Sequence, residues 1–137
     1  MSKHFEGGCL CGALRYRVTT QPIDSGYCHC RMCQRNSGAP VMAYAVFPDY
    51  AFIWTQGQPR LFASSTEGRR LFCGNCGTSV VFRHVDYPNE ISINTATLDD
   101  PSMAPPTRHI HVESKLPWLE IADDLPREMS RAPALAR

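Results

Sequence analysis

Short apolar segments run the length of the chain, broken by Gly, Pro, Asp and Asn. Where polar and apolar residues alternate, they do so with period two rather than the 3.6 of a helix. ALRYRV at 13–18 sets Leu14, Tyr16 and Val18 against Arg15 and Arg17, the mark of a strand with one buried face. VMAYAVF (41–47), AFIW (51–54), RLFASS (60–65), RRLFC (69–73), TSVVFR (78–83), EISIN (90–94) and RHIHV (108–112) are short and rich in β-branched and aromatic residues, as strands require. Helical signal is weak. A turn or two is expected after Cys30, and another near Thr97–Asp100. Eleven prolines argue against long helices. The pattern predicts a mainly-β domain over residues 1–126, with the closing stretch REMSRAPALAR (127–137) as a flexible tail with little to bury.

Composition narrows the class. At 137 residues, 43% of them hydrophobic, the chain fits one ordinary globular domain. A formal charge of +1 gives no reason to expect nucleic acid or an anionic membrane as partner. No apolar run approaches the ~18–20 residues of a bilayer span, and MSKHFEGG lacks the apolar stretch of a secretion signal. A cytoplasmic location follows by default.

Seven cysteines then change the picture. In a reducing compartment an odd number of them reads as metal ligation, not a disulfide framework. They fall as C-x-C (Cys9, Cys11), C-x-C-x-x-C (Cys28, Cys30, Cys33) and C-x-x-C (Cys73, Cys76). In a strand, residues two apart share a face, so each C-x-C could offer two sulfurs to one ion. In LFCGNCGT, Gly74 and Gly77 are suited to the left-handed conformations that turn backbone N–H groups toward thiolates. Spacing permits two partitions. Cys30, Cys33, Cys73 and Cys76 could form a zinc ribbon, leaving three cysteines over. Alternatively Cys9, Cys11, Cys73 and Cys76 form a closed site and Cys28, Cys30 and Cys33 an open one. The second uses every cysteine and fits the rule that structural zinc takes four protein ligands and catalytic zinc three.

GGCLCGALRY, YCHCRMCQRNSG, RRLFCGNCGTSV, NTATLDD and KLPWLEIADDLP resemble, in one collinear order over residues 6–126, the glutathione-dependent formaldehyde-activating (GFA) family, which includes the centromere protein V domain. The resemblance implies a zinc-pinned β-tent of small antiparallel sheets. It implies two zinc ions: a structural one on Cys9, Cys11, Cys73 and Cys76, and a catalytic one on Cys28, Cys30 and Cys33. It also implies a carbon–sulfur lyase that joins glutathione or a similar thiol to formaldehyde.

Elementary coordination chemistry points the same way. Three thiolates donate heavily, so a zinc they hold acidifies water less well than one held by neutral imidazoles. It is better suited to another thiolate or a small carbonyl. A thiol such as glutathione carries carboxylates, and Arg31, Arg35, Arg83, Arg108 and Lys115 are the cations considered for them.

The remaining residues are given structural roles. His29 should point away from the face of Cys28 and Cys30. His109 and His111 share a strand face with no cysteine beside them, and are partly buried or surface groups. Trp54, Trp118, Phe47, Phe62, Phe72 and Phe82 are core material. Asp99, Asp100, Asp123 and Asp124 are loop or cap residues. Rival readings are a non-catalytic two-zinc interaction module and a thiol redox protein; the latter lacks a βαβ pattern.

Overall fold

Tyr16 and Val18 are fully buried while Arg15 and Arg17 turn outward, so the alternation in ALRYRV sets the strand's two faces as expected. The computed structural model describes residues 4–129. Its strands are β1 (Phe5–Gly8), β2 (Arg15–Val18), β3 (Asp24–Cys28), β4 (Met42–Pro48), β5 (Phe52–Gln56), β6 (Arg60–Ala63), β7 (Gly68–Phe72), β8 (Ser79–His84), β9 (Glu90–Asn94) and β10 (His109–Ile110). The one α-helix among the described residues, α1, spans Arg31–Ser37. The mainly-β reading is borne out.

Two sheets form. A three-stranded one runs β1-β2-β5, and a seven-stranded one runs β10-β3-β4-β9-β8-β7-β6. Pairings are antiparallel except β10 on β3, which is parallel and places Ile110 opposite Cys28. In the middle of the larger sheet, β4 and β9 bury residues on both faces, which explains their near-continuous apolar runs. Phe5, Tyr16, Val18, Phe47, Val80, Ile91 and Ile93 fill the core between the sheets. A second cluster of Cys28, Tyr44, Val46 and Ile110 packs under Cys30 and Cys33.

Eight of the ten strands match expected segments to within a residue or two at each end, and a helix follows Cys30 as expected. The second expected turn comes as 3-10 turns at Thr95–Thr97 and Pro101–Met103. Two strands had no expected counterpart, β1 and β3; DSGYC has neither alternation nor β-branched residues. Its Gly26 is required by packing, since a Cβ there would sit 2.7 Å from the Arg108 carbonyl and 2.8 Å from the Tyr44 hydroxyl. RHIHV yields only the two residues of β10. Trp118 and Phe62, expected in the core, are 70% and 59% exposed, because Phe62 lies on the edge strand β6 and Trp118 in a surface turn. Trp54, Phe72 and Phe82 are half-buried, and Phe47 is fully buried.

Arg127 and Glu128, the first residues of the expected tail, are tied to β10 and its neighbours. The His109 and Glu128 N–H groups donate to Pro126 and His109 carbonyls at 2.8 and 2.9 Å, and Arg108 pairs with both Asp24 and Glu128. The rest of the expected tail, 130–137, lies outside the described residues.

Candidate metal centres

Cys9, Cys11, Cys73 and Cys76 gather with their sulfurs within 4.8 Å of one another, and Cys28, Cys30 and Cys33 form a separate group on the same criterion. The partition that pairs Cys30 and Cys33 with Cys73 and Cys76 does not occur. No His, Asp or Glu among the described residues joins either group.

In the four-cysteine group the sulfurs sit on two tight turns rather than on strands. After β1, the Gly12 N–H closes on the Cys9 carbonyl at 3.2 Å, with Gly12 at φ 83°. After β7, the Gly77 N–H closes on the Cys73 carbonyl at 2.8 Å, with Gly77 also at φ 83°. The strand-face argument for Cys9 and Cys11 therefore fails, because the chain has already turned. Gly74 does not take a left-handed conformation either; Gly12 does instead.

Hydrogen-bond donors surround this group. The Leu14 N–H donates to Cys9 Sγ at 3.2 Å, and the Asn75 and Cys76 N–H groups donate to Cys73 Sγ at 3.3 and 3.4 Å. The Asn75 side-chain amide donates to Cys11 Sγ at 3.2 Å. Thr78 Oγ1 accepts from the Leu10 N–H and lies 3.2 Å from Cys76 Sγ, linking the two turns. That hydroxyl, with nearby backbone N–H groups, draws the Cys76 thiol down to about 5. Donors of this kind stabilise the thiolate form.

The sulfur spacing tests the fit to an ion. Cys9–Cys11 and Cys11–Cys73 are 3.7 and 3.8 Å apart. A tetrahedral Zn–S₄ site with bonds of about 2.3 Å has S–S edges of about 3.8 Å. The residues fit zinc.

The three-cysteine group is built where β3 ends and α1 begins. Cys28 is the last residue of β3, and Cys30 caps the helix, its sulfur accepting the Cys33 N–H at 3.2 Å. Gly38, at φ 72°, closes the other end of the helix. Crowding polarises the thiols: hydrogen bonds from Cys28 and Cys33 hold Cys30 far below the ordinary thiol range, and the same contacts push Cys28 up. A divalent cation at the centre would relieve that conflict by stabilising all three as thiolates.

The sulfurs border a cavity of about 410 Å³, walled by Tyr44 and Phe82 among others, with Arg70, Asn94 and His111 as polar groups. None of the five cations considered from sequence lines it. Arg31 bonds Gln34, Arg83 pairs with Asp49, Arg108 with Asp24 and Glu128, and Lys115 caps the Leu116 and Leu119 carbonyls. The cation that does line the cavity is Arg70, which sequence reasoning passed over. It is 6% exposed, with Nε on Ser64 Oγ at 3.1 Å, Nη2 3.9 Å from Cys33 Sγ, and its guanidinium 4.8 Å from the Phe82 ring centroid.

The histidines part company. His111 lines the cavity at φ 55°, and His109 is buried on the other side of β10, so they do not share a face. His29 points away from the three sulfurs as expected, although β3 has already ended at Cys28, and bonds His109. Asp100 caps the Ser102 N–H, Asp99 pairs with Arg15, and Asp123 accepts from His109; no carboxylate pair forms among them. No helix of the described residues is long and apolar enough to cross a membrane.

Known proteins have sequences related to this chain. A Halomonas elongata protein, named provisionally as a glutathione-dependent formaldehyde-activating enzyme, is 27% identical over 85% of this chain and 80% of its own. A Schizosaccharomyces pombe protein named only as an uncharacterized lyase is 30% identical over 66% of this chain and 65% of its own. A crystal structure of a Rhodobacter sphaeroides protein aligns with a TM-score of 0.55 at 27% identity, covering 69% of this chain and 87% of that one. The sequence profile of the glutathione-dependent formaldehyde-activating enzymes matches residues 4–114, which contain all seven cysteines. The chain belongs to the glutathione-dependent formaldehyde-activating (GFA) family.

Proposed function

We propose that the protein is a zinc-dependent carbon–sulfur lyase that joins a small thiol, glutathione or an analogue, to formaldehyde or another small aldehyde, and cleaves the adduct in reverse. One observation carries the reading: the two cysteine groups are unequal. Four sulfurs converge in one, whereas the other has three at the wall of a cavity, with no His, Asp or Glu ligand atom of the described residues within 4.8 Å of all of them. Family membership and the lyase name of the S. pombe relative support it.

In this reading Cys9, Cys11, Cys73 and Cys76 hold a structural zinc, and Cys28, Cys30 and Cys33 hold a second one as ligands, not as nucleophiles. Zinc on three thiolates supplies a soft Lewis-acidic position open to a thiolate or a carbonyl oxygen. The chain's own residues do the rest. The cavity walls bring the thiol and aldehyde together beside the three sulfurs. Sulfur adds to the carbonyl carbon, the C=O π pair moves to oxygen, and the proton lost by the thiol is balanced by one gained at that oxygen. Nothing is oxidised or reduced.

The test is metal stoichiometry, sulfur coordination and adduct formation on one preparation. Two zinc ions per chain are expected, with added glutathione changing the coordination of one of them by X-ray absorption. Adduct formation, followed by NMR, should run faster than the uncatalysed reaction. Two zinc sites that both ignore added thiol would instead support a structural module.

A further inference from the structure

Arg70 poses an electrostatic problem that the surrounding protein only partly solves. It is buried on β7, yet joins none of the ion pairs among the described residues. Removing a guanidinium from water costs several kcal/mol unless charge or hydrogen bonds compensate. Ser64 engages Nε, Cys33 lies at the long limit of a bond to Nη2, and Phe82 offers its ring face. Those contacts pin the guanidinium against the cavity and leave Nη1 without a hydrogen bond among the described residues. A planar group held in that way is preorganised for the two oxygens of a carboxylate. Glu67 also borders the cavity but is exposed, where water and salt screen its repulsion.

We infer that Arg70 is the anion-binding residue of this cavity, and that the thiol taken by the site carries a carboxylate which Arg70 grips while the sulfur approaches the three cysteines. The inference rests on the proposed thiol-binding role of the site and goes further, since it selects among thiols by charge. The reach is adequate. Nη2 is 3.9 Å from Cys33 Sγ, and a ligand sulfur completing a zinc tetrahedron would stand about 3.8 Å from the same atom. The two anchoring points are therefore less than about 8 Å apart, a span that 3-mercaptopropionate bridges with one hydrogen bond of about 2.9 Å, as larger thiol acids do.

The experiment uses the full chain with cobalt(II) in place of zinc, reading the sulfur-to-cobalt charge-transfer band during titration with 3-mercaptopropionate and with neutral 2-mercaptoethanol. 3-Mercaptopropionate should gain about tenfold or more over 2-mercaptoethanol in the wild type relative to Arg70→Met, while 2-mercaptoethanol binding stays within a few-fold. Arg70→Lys should recover only part of the preference. An equal preference in wild type and Arg70→Met overturns the inference and leaves the thiol reading standing. A wild-type spectrum that answers to neither thiol overturns both.

Competition on the wild-type protein needs no variant to fold. Acetate should weaken 3-mercaptopropionate binding and spare 2-mercaptoethanol. Acetate acting on both alike, or on neither, counts against Arg70.

Discussion

His29 Nε2 lies 2.8 Å from Nδ1 of His109, an imidazole-to-imidazole bond with both rings buried. His109 Nε2 in turn lies 3.0 Å from the Asp123 carboxylate. The carboxylate only accepts, so His109 donates to it from Nε2; with His109 neutral, its Nδ1 then accepts from His29 Nε2. His29 stands between two of the three clustered cysteines, so this chain ties their loop to β10 and to the segment beyond it. His109→Ala should cost about 2–4 kcal/mol, as it opens a void and orphans a buried donor. Asp123→Asn keeps the shape and should cost less. Urea midpoints of the metal-loaded proteins check both, and a His109→Ala protein as stable as wild type would refute the role of the chain.

Metal removal should proceed in two stages. In the proposed reading, four ligands and a dense set of N–H and O–H donors would hold one ion, and three ligands beside an accessible cavity the other. A chromophoric chelator should therefore release zinc in a fast and a slow phase. Circular dichroism should survive the fast phase and collapse with the slow one, since the closed site joins Cys11 to a turn 62 residues further along and such sites contribute on the order of 10–16 kcal/mol. A fully chelated chain with an unchanged melting transition would contradict the structural role.

What the sequence revealed, and what it hid, divides along range. Strand faces such as Tyr16 and Val18 against Arg15 and Arg17 follow from local alternation, and the cysteine groups from local spacing. Arg70 was illegible because RRLF reads as a solvated charged pair; only the pairing of β7 with β8 sets Phe82 beside it and turns it toward Cys33. RHIHV signals β10 locally, but its shortening to two residues and its parallel pairing with β3 come from contacts about eighty residues apart in sequence. The C-x-C at Cys9 and Cys11 was misassigned to a strand, because Gly12 ends the extended backbone in a left-handed turn.

Two glycines separate conformational strain from steric clash. At Gly77 a Cβ meets nothing, but φ is 83°, so Gly77→Ala should cost only the left-handed penalty of about 1–2 kcal/mol. At Gly26 φ is ordinary, but a Cβ would strike the Arg108 carbonyl and the Tyr44 hydroxyl. Backbone cannot yield cheaply there, so Gly26→Ala should be the more damaging and should also part β10 from β3, loosening the cavity wall at Ile110. Chemical denaturation ranks the two, and the opposite order would show that the β10 contact is slack.

Serine substitutions should distinguish the two cysteine groups. Cys73→Ser removes a sulfur that accepts two backbone N–H groups and a ligand of the site that joins the two turns, so the protein should lose zinc from that site and unfold at a far lower temperature. Cys33→Ser leaves the four-cysteine group intact, and Cys33 is not among its contacts. That variant should keep its fold and one zinc while losing the second zinc and adduct formation together. Arg70 would then lose its nearest sulfur but keep Ser64 and Phe82, so the cavity should persist. Zinc analysis, melting curves and the NMR adduct assay on the same preparations decide the matter. Full activity in Cys33→Ser would exclude the three-cysteine group as the seat of the chemistry, and equal destabilisation by the two variants would assign both groups to structure.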